Sequence, residues 1–303
     1  MMDLTDLQKK IATFLPNIDA RFWESMAKHT SFRIGGPAEI MAFPKSVTEL
    51  KALLEFSKKY QCPYAVLGAG TNVLAPDEGV IGLVVCLKDC MDGMQRLENN
   101  RICVYAGVTM TRAAVFAAGQ GLGGMEFAHG IPGTVGGGIY MNAGAYGGEI
   151  CQICESVDVL LPTGNVVTFS NAQMEFAYRH SCLCKNGGIV ISGIFALQEK
   201  PEAEIRSQMQ ELMKRRSSSQ PLDMPSAGSA FKRPVGGYAA TLIDEAGLKG
   251  YRVGNAGVSE KHAGFVVNLG NATAKDVKEV LLHVSDIVYE KSGIRLEPEM
   301  RVW

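Results

Sequence analysis

Twelve of the 30 residues from Gly119 to Gly148 are glycine, in a chain of 303 residues with 34 glycines in all. Glycine gives up backbone entropy on folding and offers no side chain to pack, so a segment this rich in it must serve backbone geometry. No three-residue period accompanies the enrichment, which excludes a collagen triple helix. Apolar residues run through it (Phe127, Ile131, Val135, Ile139), which argues against a flexible linker. So many permissive positions in succession make sense where backbone lies flat against a ligand or a neighbouring element. A glycine-rich core loop is the alternative.

The rest of the composition narrows the class. Apolar residues make up 47% and charged residues 20%, the balance of a globular protein, and the length suggests about two domains. The formal net charge of −1 leaves no electrostatic footprint for nucleic acid or an anionic membrane, so small-molecule partners are expected. Met1 to Lys10 lacks the basic and apolar regions of a secretory signal, and no run approaches the roughly 18 apolar residues of a membrane span. A cytoplasmic location is expected. The eight cysteines, Cys62, Cys86, Cys90, Cys103, Cys151, Cys154, Cys182 and Cys184, read as free thiols in a chain with a full apolar core. Cys151-x-x-Cys154 and Cys182-x-Cys184 could in principle form a four-thiolate site, but the second spacing is shorter than zinc sites use, and no metal is expected.

Along the chain, Ser46-Val-Thr-Glu49 has capping-box spacing ahead of Leu50, Leu53 and Leu54, predicting a helix that feeds a buried strand at 64–67. Further strands are predicted at 81–87 and 102–106, with a small-residue helix at 109–118. Residues 157–161 and 166–169 flank Pro162-Thr-Gly-Asn165, a hairpin signal, and 189–197 reads as another strand. Ile205, Met209, Leu212 and Met213 predict a helix over 202–216, and the Ser/Pro-rich 217–226 reads as loop. A domain boundary is placed near residue 200. Beyond it come a short helix (239–246), a strand (264–269), a long helix from Thr273 to a stop at Gly293, and a final strand at 294–303.

Two short motifs suggest ligand contact. Gly68-Ala69-Gly70-Thr71-Asn72 follows a predicted strand directly, so its N–H groups can face a cleft as a phosphate cradle. It is not the dinucleotide fingerprint, because Val73 stands where a third glycine would be needed. Gly119-Gln-Gly-Leu-Gly-Gly124 matches G-x-G-x-x-G literally but follows a helix, so it is read as a chance match.

The stretch Met125 to Glu149, with His29-Thr-Ser-Phe-Arg-Ile-Gly-Gly36, the 68–72 loop, Tyr178-Arg-His-Ser181, Gly228-Ser-Ala-Phe-Lys-Arg-Pro234 and Leu296-Glu-Pro-Glu-Met-Arg301, resembles the UDP-N-acetylenolpyruvylglucosamine reductase family over nearly the whole chain. The resemblance implies an α+β architecture: an FAD-binding domain of the vanillyl-alcohol oxidase (PCMH) type at 1–199, in lobes of about 1–85 and 86–199, and a C-terminal α/β substrate-binding domain at 200–303. It implies NADPH-dependent reduction of a UDP-linked enolpyruvyl amino sugar to UDP-N-acetylmuramate through non-covalent FAD, in peptidoglycan precursor synthesis. FAD would meet Gly68, Ala69, Gly70, Thr71, Asn72, Gly130, Ile131, Pro132, Gly133, Gly136 and Gly137.

The resemblance assigns Arg179 to polarising the enolpyruvyl carboxylate, which suits a permanently charged group able to bind it bidentately. Ser229 resembles the family's proton donor to the α-carbon, a feasible role because a carbanion-like species is a strong base. Glu299 would hydrogen-bond the developing acid enolate or tune the serine. Along a strand Glu297 and Glu299 share a face, so spacing leaves the two open and only the resemblance selects Glu299. Lys249 resembles a lysine near the substrate diphosphate, and Tyr146 and His262 are further substrate-contact candidates.

The chain departs from the family pattern at Arg233, where Asn is usual in Phe-Lys-Asn-Pro. A guanidinium there adds positive charge where a diphosphate might sit. The 50-residue interval from Arg179 to Ser229 matches the shorter branch, without a tyrosine-bearing insertion. Two competing readings are a flavin oxidase or dehydrogenase of the same fold acting on a small hydroxy compound, and a non-catalytic nucleotide-binding module.

Overall fold

The computed structural model describes residues 5–303, and residues 1–4 of the stretch read for a leader lie outside the described residues. The chain forms two compact units. One comprises Met1–Phe22, Ile40–Ala69 and Gly82–Arg215, the other Trp23–Glu39, Gly70–Ile81 and Arg216–Trp303. Each has its own apolar core.

In the first unit the helix Val47–Tyr60 starts at Ser46, whose Oγ accepts the Glu49 N–H at 3.1 Å. The return contact expected of a capping box is displaced by one residue, the Glu49 carboxylate accepting the Lys45 N–H at 2.7 Å. Leu50, Leu53 and Leu54 are buried as their spacing predicts. The helix leads to Tyr64–Leu67, which pairs in parallel with Val80–Cys86 in a sheet ordered Asp19–Ser25, Pro37–Phe43, Val80–Cys86, Tyr64–Leu67. Only Leu67 of that expected buried strand is fully covered.

A five-stranded antiparallel sheet follows, ordered Val166–Ser170, Cys154–Leu160, Ile189–Ala196, Arg101–Tyr105, Met94–Leu97. Its predicted hairpin closes through Gly164, whose N–H donates to Leu161 O at 2.9 Å with φ +90°. Two helices, Met110–Gly119 and Val135–Tyr140, each start at a threonine whose Oγ1 accepts a backbone N–H. The helix predicted to stop at 216 runs from Glu202 to Ser219. The serines tolerate the last turn, Ser219 Oγ bonding Arg216 O at 3.4 Å, and Pro221 rather than serine composition ends it.

The second unit is centred on a four-stranded antiparallel sheet ordered Ser226–Ser229, Phe265–Asn268, Ala256–Val258, Arg252–Val253. The helix Ala274–Ser292 buries Val277, Val280, Leu281, Val284 and Val288, and ends at Gly293 with φ +71°. Its start is capped twice. Thr273 and Asp276 form a reciprocal capping box, and the Asp77 carboxylate accepts the N–H groups of Ala274 (2.7 Å) and Lys275 (3.1 Å).

Two early segments belong to this unit for physical reasons. Phe32, Ile34 and Leu74 are buried in its core, Asn268 Nδ2 donates to Phe32 O at 3.0 Å, and Ser31 Oγ donates to Ser226 O at 2.6 Å. The final strand expected over 294–303 shrinks to Arg301–Val302, paired in parallel with Val73–Leu74. Pro298, without an N–H, leaves only an isolated bridge to Phe231 before it.

Candidate functional site

In the first unit the glycine-rich segment folds as a stack of short turns. Thr134 caps the helix Val135–Tyr140, its Oγ1 accepting the Gly137 N–H at 3.4 Å, and a Cβ on Gly68 would lie 2.4 Å from that same oxygen. Gly68 is therefore glycine so that its backbone can approach Thr134. Gly136 is buried, its N–H donates to Ala106 O at 2.9 Å, and a Cβ there would meet the Ala106 Cβ at 2.9 Å. It serves packing inside the unit. Gly137 is exposed and has only Thr134 Oγ1, at 3.6 Å, within reach of an added Cβ.

The segment continues into a hairpin pairing Gly144–Ala145 with Gly148–Glu149. Its two loop residues, Tyr146 (φ +55°) and Gly147 (φ +88°), both lie in the left-handed region of a type I′ turn. A tyrosine there is strained, and the residue is 47% exposed. Arg179 is held the same way, at φ +54° in the tight turn Ala177–His180, closed by hydrogen bonds of 3.1 Å between Ala177 and His180 in both directions. Its guanidinium lies 5.0 Å from the Tyr178 ring centroid.

Asn142, which the spacing of motifs did not single out, ties these parts together. Buried to 2% exposure, it donates Nδ2 to Ala177 O (3.1 Å) and Glu149 Oε2 (3.0 Å) and accepts the Cys151 N–H (2.9 Å). Ser181 Oγ donates to Tyr140 O at 2.8 Å and pins the other side of the Arg179 turn.

In the second unit Ser229 and Glu299 come together through Ala230. The Ala230 N–H donates to Gly264 O at 2.8 Å, and the Glu299 N–H donates to Ala230 O at 2.9 Å. The register slips between Ser226 and Ser229, with Gly228 at φ +79°, and this bulge delivers an exposed Ser229 opposite Phe265. Asn72 holds the Glu299 segment: its Nδ2 donates to Glu299 O (3.4 Å), and its C=O accepts the Arg301 N–H (2.9 Å). Glu297, which spacing could not separate from Glu299, is 73% exposed and pairs with Lys232 at 3.0 Å, whereas Glu299 is half-buried.

Lys249 pairs with Asp244 at 2.7 Å and lies near enough to His262 to disfavour its protonation. Burial is the larger cause holding the His262 imidazole below its ordinary value. Its Nδ1 accepts the Gly264 N–H at 3.1 Å, so the neutral ring carries its proton on Nε2. Arg233 is exposed, with its guanidinium 4.6 Å from the Tyr238 ring centroid.

Residues 38–170 match the FAD binding domain, and residues 220–303 match the C-terminal domain of UDP-N-acetylenolpyruvoylglucosamine reductase. The chain is 45% identical to the UDP-N-acetylenolpyruvoylglucosamine reductase of Caldanaerobacter subterraneus subsp. tengcongensis over 92% of both chains. It is 42% identical to that of Clostridioides difficile over 99% of both. The chain belongs to the UDP-N-acetylenolpyruvoylglucosamine reductase family. The crystal structure of the family member from Thermus caldophilus superimposes with a TM-score of 0.81 at 38% identity, covering 95% of this chain and 99% of that one.

For this reductase-family chain, the residues fit FAD. Gly137 leaves an open face at the start of a helix, and the Gly68 loop packs against the threonine that caps that helix. Among the described residues no helix is long and apolar enough to cross a membrane, and no group of three or more His, Cys, Asp or Glu side chains could hold a metal ion.

Proposed function

We propose that this chain reduces UDP-N-acetylenolpyruvoylglucosamine to UDP-N-acetylmuramate with NADPH as the electron source, in peptidoglycan precursor synthesis and in the cytoplasm. Kinship along the full chain to curated reductases carries the reading. Residues 1–199 would serve FAD, and 200–303 the UDP-linked sugar. FAD, when bound, would supply the hydride chemistry that links NADPH oxidation to reduction of the enolpyruvyl ether.

The protein's part is to manage the charge that results. The Arg179 guanidinium binds the enolpyruvyl carboxylate and stabilises the negative charge that builds on it. The Ser229 hydroxyl gives its proton to the α-carbon, forming the C–H bond as the O–H bond breaks. Glu299 hydrogen-bonds the developing acid enolate or the serine. The strap through Ala230 supports this pairing, because proton transfer requires donor and partner within about 3.5 Å in fixed orientation. Lys249, His262, Tyr146 and Arg233 hold the nucleotide sugar, the imidazole as a neutral Nε2–H donor. The 68–72 loop and residues Gly130, Ile131, Pro132, Gly133 and Gly137 hold FAD through backbone N–H groups and close approach.

The test is NADPH oxidation by the flavin-loaded protein with and without the enolpyruvyl sugar. Turnover is expected only with sugar; oxidation indifferent to it refutes the reading. Ser229→Ala is expected to leave flavin bleaching by NADPH intact and to slow reoxidation by sugar at least about 100-fold. Equal loss of both half-reactions removes Ser229 from the proton-donor role.

A further inference from the structure

Between Met174 and Ser181, both fully buried, the chain has no buried residue, and Arg179 sits in this stretch on the Ala177–His180 turn at φ +54°. Packing therefore does not fix the turn, and backbone preference works against it, because a left-handed arginine is strained. What reaches the turn from the interior is Asn142. Its Nδ2 donates to Ala177 O at 3.1 Å, the same oxygen that accepts the closing His180 N–H.

The chemistry of position 142 suits this task. Its own backbone is left-handed, at φ +42°, where Asn is among the few residues tolerated. The buried amide uses its whole bonding capacity: one Nδ2 hydrogen goes to Ala177 O, the other to Glu149 Oε2, and Oδ1 accepts the Cys151 N–H. An aspartate would keep the acceptor and lose both donors. We propose that Asn142 is a positioning residue for Arg179, locking the turn so that the guanidinium meets the substrate carboxylate with both of its N–H groups in register.

A bidentate contact gains most from such a lock, since its two parallel bonds weaken together when the turn swings. Ser181 Oγ, bonded to Tyr140 O at 2.8 Å, anchors the chain just beyond the turn, and Asn142 fixes the turn itself. This role rests on Arg179 binding the enolpyruvyl carboxylate as proposed above, and the experiment separates the two.

Asn142→Asp combined with Glu149→Gln exchanges amide and carboxylate. The Cys151 N–H keeps its acceptor, residues 142 and 149 keep a hydrogen bond in the reverse sense, and Ala177 O alone loses its donor. Rapid mixing of the flavin-loaded protein follows bleaching by NADPH and reoxidation by the enolpyruvyl sugar separately, and urea denaturation checks folding. A parent whose flavin the sugar does not reoxidise refutes the proposed function itself. With the parent active, the exchange is expected to leave bleaching within about twofold and to slow reoxidation about 10–100-fold. In an Arg179→Lys background it is expected to cost under about threefold, because a flexible point charge depends less than a planar fork on where its backbone sits. Parent-like reoxidation by the exchange variant overturns the proposal, as does equal loss of both half-reactions or an undiminished loss beside Arg179→Lys. If the exchange variant does not fold, Asn142→Gly, which accepts φ +42° and removes the amide, is put through the same measurements. Failure of both to fold makes Asn142 a structural residue and also overturns it.

Discussion

Tyr146 shows how a single residue records a demand other than stability. A type I′ turn asks for Asn, Asp or Gly at its first central position, and a tyrosine at φ +55° costs about 1–2 kcal/mol. Exposed as it is, it recovers little of that by packing. Tyr146→Asn is therefore expected to raise the stability of the folded chain by about 1 kcal/mol in urea denaturation while raising KM for the nucleotide sugar. A stabler variant with unchanged KM would leave the tyrosine without a role in binding. The thiols make a second case at this scale. Burial pushes the Cys86 thiol up to about 11 and the Cys154 thiol up to about 12. The thiolate is the nucleophile, so at pH 8 in the folded protein both are expected to resist iodoacetamide under conditions that alkylate every thiol after denaturation. Mass mapping of the labelled sites checks this, and native labelling of Cys154 would contradict its burial.

At the scale of elements, the start of Ala274–Ser292 depends on a residue almost 200 positions earlier in the chain. Asp77 accepts two of the helix's first N–H groups and sets a negative charge at its positive end. Asp77→Ala is expected to destabilise the fold by about 1–2 kcal/mol in urea, and Asp77→Asn, which keeps one acceptor and loses the charge, by less. Equal losses would show that the charge carries the cap. This cap also marks the limit of what a sequence discloses. Thr273 was legible as the helix start because its partner Asp276 is three residues away, and Ser46, Thr109 and the 162–165 hairpin were legible for the same reason of short range. Asp77 was not, since nothing local distinguishes it from any loop aspartate. The Ser/Pro stretch misled because serine was read as loop, while Pro221 alone stops the helix after Ser219. The final strand misled because Pro298 interrupts a pattern that otherwise alternates. Within the candidate site, Arg179, Ser229 and Glu299 are proposed through motif resemblance alone. Asn142, which ties the Arg179 turn to the neighbouring hairpin, has no such signal, because a buried amide hub leaves no periodic trace.

For the molecule as a whole, the second unit is discontinuous in sequence. The stretch from Arg216 to Trp303 supplies its sheet and its long helix, but Phe32, Ile34 and Leu74 fill its core from two earlier segments. Val73–Leu74 gives Arg301–Val302 its strand partner, and Asp77 caps the helix. Burial of a Phe, Ile or Leu side chain is worth about 1.5–3 kcal/mol, and a small domain has only about 5–15 kcal/mol in all. Residues 216–303 expressed alone would lose three such side chains, a strand partner and a helix cap at once. The fragment is therefore expected to lack a cooperative fold, with poorly dispersed amide resonances and a broad urea transition, even though a family domain matches 220–303, entirely within it. A fusion that restores segments 23–39 and 70–81 to the fragment is expected to recover dispersion. A well-dispersed spectrum from 216–303 alone would show that its own apolar residues suffice, and that the early segments were recruited to an already stable unit rather than needed to build it.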